Sequence, residues 1–120
     1  TRIPYYFHLR NDKLMGFAGL YDTWKSNDGK VVKSCTIITT SPNELVTKFH
    51  NRMPAIIEPE ARKPWLAKDL QDPQQLLPFL KPYDAGKMTA FEVSRKVNSP
   101  RFNVPDCIKP AKHISSQKAF

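Results

Sequence analysis

The stretch CTIITTSPNELVTKFHNRMPAII, residues 35–57, decides the fold. Its first six residues are a β-branched run that reads as a strand ending in Thr39 and Thr40. Ser41 then offers a helix N-cap, Pro42 suits the first helical position, and Glu44 completes an S-x-x-E capping box. Leu45, Val46 and Phe49 give the following turns an apolar face, so a helix lying on a sheet and ending near Phe49 is predicted. His50, Asn51 and Arg52 come next. Pro54 then forces Met53 into an extended backbone, and PAII resumes a strand. A strand, a short covering helix and a second strand predict an α+β architecture.

Upstream, the sequence reads as sheet. In IPYYFHLRNDKLMGFAGLY, Tyr5, Phe7 and Leu9 fall on one face of a strand and Tyr6, His8 and Arg10 on the other. Asn11-Asp12 is placed as a hairpin turn, because both residues tolerate positive φ. The strand expected after it, Leu14 to Tyr21, is apolar on both faces, as in the middle of a sheet or barrel wall, with Gly16 and Gly19 allowing a bend. Asp28-Gly29 marks a second hairpin.

Downstream, EPEARKPWL and DPQQLLPFL predict two short helices that cover the sheet, the second capped by Asp72 and Gln75, with Trp65, Leu76, Leu77, Phe79 and Leu80 turned inward. Met88 to Ser94 returns to strand. RKVNSPRFNVPDCIKP reads as a long, proline-marked loop. One domain is expected over residues 1–113, with 114–120 as a flexible tail.

Composition limits the function. The 120 residues carry a net charge of +8, an excess that attracts polyanions over roughly 8–10 Å and makes nucleic acid the leading partner class. Basic residues gather most on the tail from Arg95 onward: Arg95, Lys96, Arg101, Lys109, Lys112 and Lys118 are opposed there only by Asp106. No run approaches the ~20 apolar residues of a membrane span, and no charged-then-apolar leader opens the sequence, so a soluble protein without a membrane partner is expected. Cys35 and Cys107 lack metal-type spacing and read as reduced thiols, Cys35 as a packed one in its β-branched run. The three histidines have no paired spacing, so neither a metal nor another cofactor is expected.

Taken in order, PYYFHL, FAGLYDTW, CTIITT, ELVTKFHNRMPAII and VSRKVNSPR resemble the C-terminal part of the SOS response-associated peptidase (SRAP) domain, from about Pro4 to about Pro110. H-x-R-M-P followed by V-S-x-x-V-N-x-P is the most specific element. The resemblance implies an α+β fold with a curved, mostly antiparallel, barrel-like sheet and short flanking helices, incomplete here at the N-terminus.

It also implies a function: sensing abasic sites in single-stranded DNA and crosslinking to them. An N-terminal cysteine supplies amine and thiol to trap the sugar aldehyde as a thiazolidine, chemistry that needs proton transfer and phosphate anchoring. On the matching positions, His50 is the catalytic histidine, Arg52 lies beside a DNA phosphate, Thr39 offers a hydroxyl to the DNA backbone, and Asn98 and Ser99 line the mouth of the site. The family's N-terminal cysteine, its upstream Asn/Arg motif and the acidic residue of its G-F-Y-E-W motif would all precede Thr1. Cys35 and Cys107 cannot replace that cysteine, having no free α-amine, and Glu44 is assigned to capping. The chain alone is therefore expected to be inactive, completed by an N-terminal segment or second chain, and otherwise monomeric. Its compartment would be the cytoplasm, at the nucleoid, in a prokaryote, or the nucleus in a eukaryote.

Outside the resemblance, a single-stranded nucleic-acid binding module without chemistry is the alternative. The family name's peptidase activity is read as self-removal of the initiator residue. His8 reads as structural, and Trp24 and Trp65 more as core than as base-stacking surfaces.

Overall fold

The computed structural model describes residues 2–70 and 72–111. Among them the strands run β1 Tyr5–Leu9, β2 Gly16–Phe17, β3 Gly19–Lys25, β4 Val31–Ile37, β5 Thr39–Thr40, β6 Met53–Pro54, β7 Ile56–Ile57 and β8 Met88–Glu92. Helices are short: α1 Arg62–Leu66, α2 Pro73–Leu76, and several single 3-10 turns. Two compact units are formed, one by Leu14–Gly86 and the other by the described residues of Thr1–Lys13 and Lys87–Phe120. The α+β class and the antiparallel pairing agree with expectation. The closed barrel does not: the described strands form four two-stranded pairs.

Within Leu14–Gly86, three extended segments each break at one residue and change partner there. Ala18 separates β2 from β3, Ile38 separates β4 from β5, and Ala55 separates β6 from β7. On one side of the breaks β3 pairs with β4; on the others β5 pairs with β6 and β2 with β7, all antiparallel. The three break residues bond to one another in a ring. Ala18 N–H donates to Ala55 O at 2.8 Å, Ala55 N–H to Ile38 O at 2.9 Å, and Ile38 N–H to Ala18 O at 2.9 Å. Buried backbone groups must find partners, and the ring supplies one donor and one acceptor to each segment. Ala18, Ala55 and Ile57 are the buried centre of this unit, with Ile38, Ala61, Trp65, Phe79 and Leu80 packed on them. Alanine at two of the three junction positions lets the backbones converge.

The predicted strand Leu14 to Tyr21 is therefore two strands, and Leu14 lies outside both and is exposed. The Asp28-Gly29 hairpin forms as expected, with Gly29 at φ +88° and Gly29 N–H bonded to Ser26 O at 3.1 Å. Its strands are exposed along nearly their whole length, including Leu20, Tyr21, Trp24, Val32 and Ile37. Cys35, expected to be packed, is exposed on β4 for the same reason. Trp65 joins the core, whereas Trp24 and Leu77 face solvent.

In the other unit, Asn11-Asp12 makes its turn, with Asp12 at φ 59° and Asp12 N–H bonded to Leu9 O at 2.9 Å. The turn does not fold β1 back on the next strand. Instead β1 pairs with β8, Tyr5 opposite Glu92 and Leu9 opposite Met88. That distant partner supplies Phe91, which meets the rings of Tyr6 and His8 edge-on while Tyr6 and His8 stack at 5.3 Å. His8 Nδ1 lies 2.8 Å from Leu9 O and 3.0 Å from Asp12 Oδ1, a structural setting that closes the turn. The expected loop after β8 holds two 3-10 turns, Arg95–Asn98 and Pro105–Ile108, and a bridge between Val93 and Pro110. The expected flexible tail lies outside the described residues.

Candidate functional site

Between β5 and β6 the chain makes one tight excursion, and Asn43 organises it. Ser41 was the expected cap and a helix to Phe49 the expected product. The element formed is only a 3-10 turn, Val46–Lys48, whose N-cap position Leu45 makes no side-chain bond; the side chain that caps the N–H groups at its start is Asn43, two residues after Ser41. Asn43 Oδ1 accepts from Leu45 N–H at 3.1 Å and from Val46 N–H at 2.9 Å, while Nδ2 donates to Tyr83 O at 2.7 Å. Asn43 is also the buried polar residue of the core, and Asn is as good a cap as Ser. The amide wins because it can satisfy Tyr83 O as well, which a serine at position 41 cannot.

The turn delivers His50. Its N–H donates to Val46 O at 2.9 Å, and the side chain is exposed. Two residues on, Arg52 N–H donates to His50 Nδ1 at 3.0 Å. A nitrogen that accepts a hydrogen bond carries no proton, so the imidazole is held as the Nε2–H tautomer. Nε2–H is thereby left to donate a hydrogen bond to a bound group.

Arg52 precedes β6 and reaches diagonally across to β5. Nε donates to Thr39 Oγ1 at 3.2 Å, and Nη2 donates to Thr39 Oγ1 at 3.0 Å and to Thr39 O at 2.9 Å. The guanidinium is pinned by one face of its fork, and among the described residues Nη1 has no partner. Thr39 Oγ1 accepts twice, which leaves its hydroxyl hydrogen to donate. His50, Arg52 and Thr39 thus present an imidazole N–H, a cation and a hydroxyl donor at the open edge of the β5–β6 pair, all three exposed. An imidazole N–H beside a fixed guanidinium and a hydroxyl donor suits a substrate that carries both an anionic group and an oxygen to be polarised.

Asn98 and Ser99 belong to the other unit. Asn98 ends the Arg95–Asn98 turn, and Ser99 builds the next one, its carbonyl accepting from Phe102 N–H at 3.0 Å and its Oγ from Arg101 N–H at 3.4 Å. Both side chains are exposed. Asn43 is the residue that sequence reasoning missed. The signal was present, an asparagine two residues before the apolar pair Leu45-Val46, but the capping box beginning two residues earlier outweighed it.

The chain is similar to known proteins in sequence and in fold. The family model described as SOS response associated peptidase (SRAP) matches residues 1–100. The chain is 46% identical over 109 residues to the abasic site processing protein YoqW of Bacillus subtilis, covering 91% of this chain and 49% of that protein. It is 35% identical over 102 residues to the mouse abasic site processing protein HMCES, covering 84% of this chain and 28% of that one. A crystal structure of a Bacteroides thetaiotaomicron protein superposes with a TM-score of 0.81 at 32% identity, over 92% of this chain and 49% of that chain. The chain spans about half the length, or less, of these relatives.

Proposed function

From the premise that this chain belongs to the SOS response associated peptidase family, we propose that it forms part of an abasic-site processing protein acting on single-stranded DNA. The observation that carries the reading is the His50–Arg52–Thr39 constellation, in a chain whose curated relatives are named for abasic site processing. An abasic site offers a sugar aldehyde flanked by phosphates. Arg52 Nη1 and the Thr39 hydroxyl hold a flanking phosphate oxygen, and His50 acts as the catalytic histidine by donating Nε2–H to the sugar aldehyde oxygen, which polarises the carbonyl for attack. Neither Cys35 nor Cys107 has an α-amine, so the thiazolidine-forming cysteine is assigned to polypeptide outside these residues. Asn98 and Ser99, in the other unit, stay assigned to DNA contact.

The test uses the complete protein. Mixed with single-stranded DNA carrying one abasic site, it is expected to leave a denaturation-resistant band on a gel, with none from undamaged strand. The net charge of +8 favours one other reading, a binding module without chemistry. Equal affinity for abasic and intact strands, with no adduct, establishes that alternative instead.

A further inference from the structure

We propose that the cavity between the 3-10 turns Arg95–Asn98 and Pro105–Ile108 is a second contact for single-stranded nucleic acid, holding one nucleotide with its phosphate on Lys96 and Lys109 and its base against Phe102. The inference rests on the proposed DNA-binding role but concerns residues outside the His50 constellation. The cavity measures about 470 Å³, within the range of roughly 300–1,000 Å³ typical of small-ligand sites. Its walls are Ser94, Lys96, Phe102, Asp106, Lys109 and the Pro110-Ala111 backbone.

Three features suit a nucleotide. First, Lys96 Nζ lies 5.8 Å from the centroid of the half-buried Phe102 ring, so one cation and one flat apolar face are presented together. A nucleotide has the complementary pair, an anion and a π-face. Second, Lys109 pairs with Asp106 at 2.9 Å on the opposite wall, both side chains being about two-thirds exposed. An exposed pair of this kind is worth only ~0–1 kcal/mol, so a phosphate can draw Lys109 away at little cost. Third, Ser94 Oγ accepts from Lys96 N–H at 3.2 Å, which fixes the turn and leaves the hydroxyl hydrogen to donate. The surrounding segment adds Arg95 and Arg101, giving four cations with Lys96 and Lys109 against the single anion Asp106. Ser99 contributes indirectly, because its carbonyl holds the Phe102 N–H and so sets the ring in place.

Fluorescence anisotropy of the complete protein with labelled oligothymidylate, between 50 and 200 mM salt, tests the proposal. Lys96→Gln with Lys109→Gln is expected to weaken binding and to flatten the log–log salt slope by about 0.7 for each lysine removed. Phe102→Leu, which keeps an apolar filler, is expected to weaken binding roughly 5- to 100-fold with the slope unchanged. Thermal melts of the variants confirm that each remains folded. If oligothymidylate binds and all these variants bind like wild type, the cavity is not a nucleic-acid contact and the proposed function stands. If only the lysine variant is affected, the base-stacking role is overturned and a phosphate contact remains. If wild-type protein does not bind oligothymidylate, both this inference and the DNA-binding reading fail.

Discussion

Arg52 and His50 are joined through the Arg52 main-chain N–H, which donates to Nδ1 of the imidazole at 3.0 Å. The arginine therefore acts twice on the same site: its backbone selects the histidine tautomer, while its side chain is fastened to Thr39. Because the tautomer is set by a peptide group, it survives any change of the Arg52 side chain. Nitrogen-15 spectra of wild type and Arg52→Ala should both show His50 protonated at Nε2. A proton on Nδ1 in the neutral imidazole contradicts the geometry. His50→Ala should slow reaction of the complete protein with abasic DNA by roughly 10²–10³-fold, the usual range for a lost hydrogen-bond donor at a reacting oxygen.

Thr39 is predicted to act by positioning Arg52. Thr39→Val removes the Oγ1 acceptor but leaves the carbonyl that also holds Nη2, so two of three hydrogen bonds are lost. At about 0.5–1.5 kcal/mol for a typical hydrogen bond, affinity for single-stranded DNA should fall by roughly 3- to 10-fold. Thr39→Ser should restore it. Arg52→Lys should behave like a loss, since a lysine cannot span both oxygens of Thr39. Titrations with intact and abasic strands check all three, and a fully active Thr39→Val removes the threonine from the site.

Asn43 carries the turn that delivers His50, and its loss is predicted to be costly. Asn43→Ala deletes a cap worth ~0.5–2 kcal/mol and removes the amide donor to Tyr83 O, a hydrogen bond worth about 0.5–1.5 kcal/mol. A net destabilisation of about 1–3 kcal/mol is expected in chemical denaturation. Ser41→Ala, at the cap position expected from sequence, should change stability by less than about 0.5 kcal/mol. The reverse order of effects contradicts the assignment.

The contrast between Ser41 and Asn43 shows what a sequence can reveal. Local signals were legible: the Asp28-Gly29 hairpin, the Asp12 turn, the Asp72 cap and the extended Met53-Pro54 all lie where their residue chemistry placed them. Long-range choices were not. Nothing local tells β1 to pair with β8 across most of the chain, or tells Ala18, Ile38 and Ala55 to break their strands together. Each break residue is apolar and would sit equally well inside an unbroken strand. His50, Arg52 and Thr39 could be named from the family motif. Their mutual bonds depend on a register, Thr39 opposite Pro54, that periodicity cannot fix.

Asp28 gives the hairpin a pH signature. Its carboxyl is held below the ordinary value of 3.8, chiefly by the hydrogen bond from the Ser26 hydroxyl and then by the Lys30 backbone N–H. A depressed folded-state value means that the turn's contribution to stability is complete above the unfolded value and is lost as pH falls through the folded one. Ser26→Ala removes the larger cause, so the Asp28 carboxyl should titrate at higher pH in the variant when followed by carbon-13 NMR. An unchanged titration shows that the Ser26 hydroxyl does not set it.

Gly19 tests the three-way junction. It follows Ala18, and a Cβ built on it would lie 2.7 Å from the Thr36 carbonyl oxygen, a backbone atom fixed in the β3–β4 ladder. No side chain can swing aside to relieve that contact. Displacement must pass to the strand itself, one residue from the hydrogen-bonded ring. Gly19→Ala is therefore expected to destabilise the protein by about 1–3 kcal/mol, as overpacking typically does. Gly16→Ala meets only the Arg62 side chain, at 3.3 Å, which can move, and should cost less. A milder effect at position 19 than at position 16 means the β3–β4 ladder can shift without disturbing the junction, and the bonded ring is then not what holds the three segments in place.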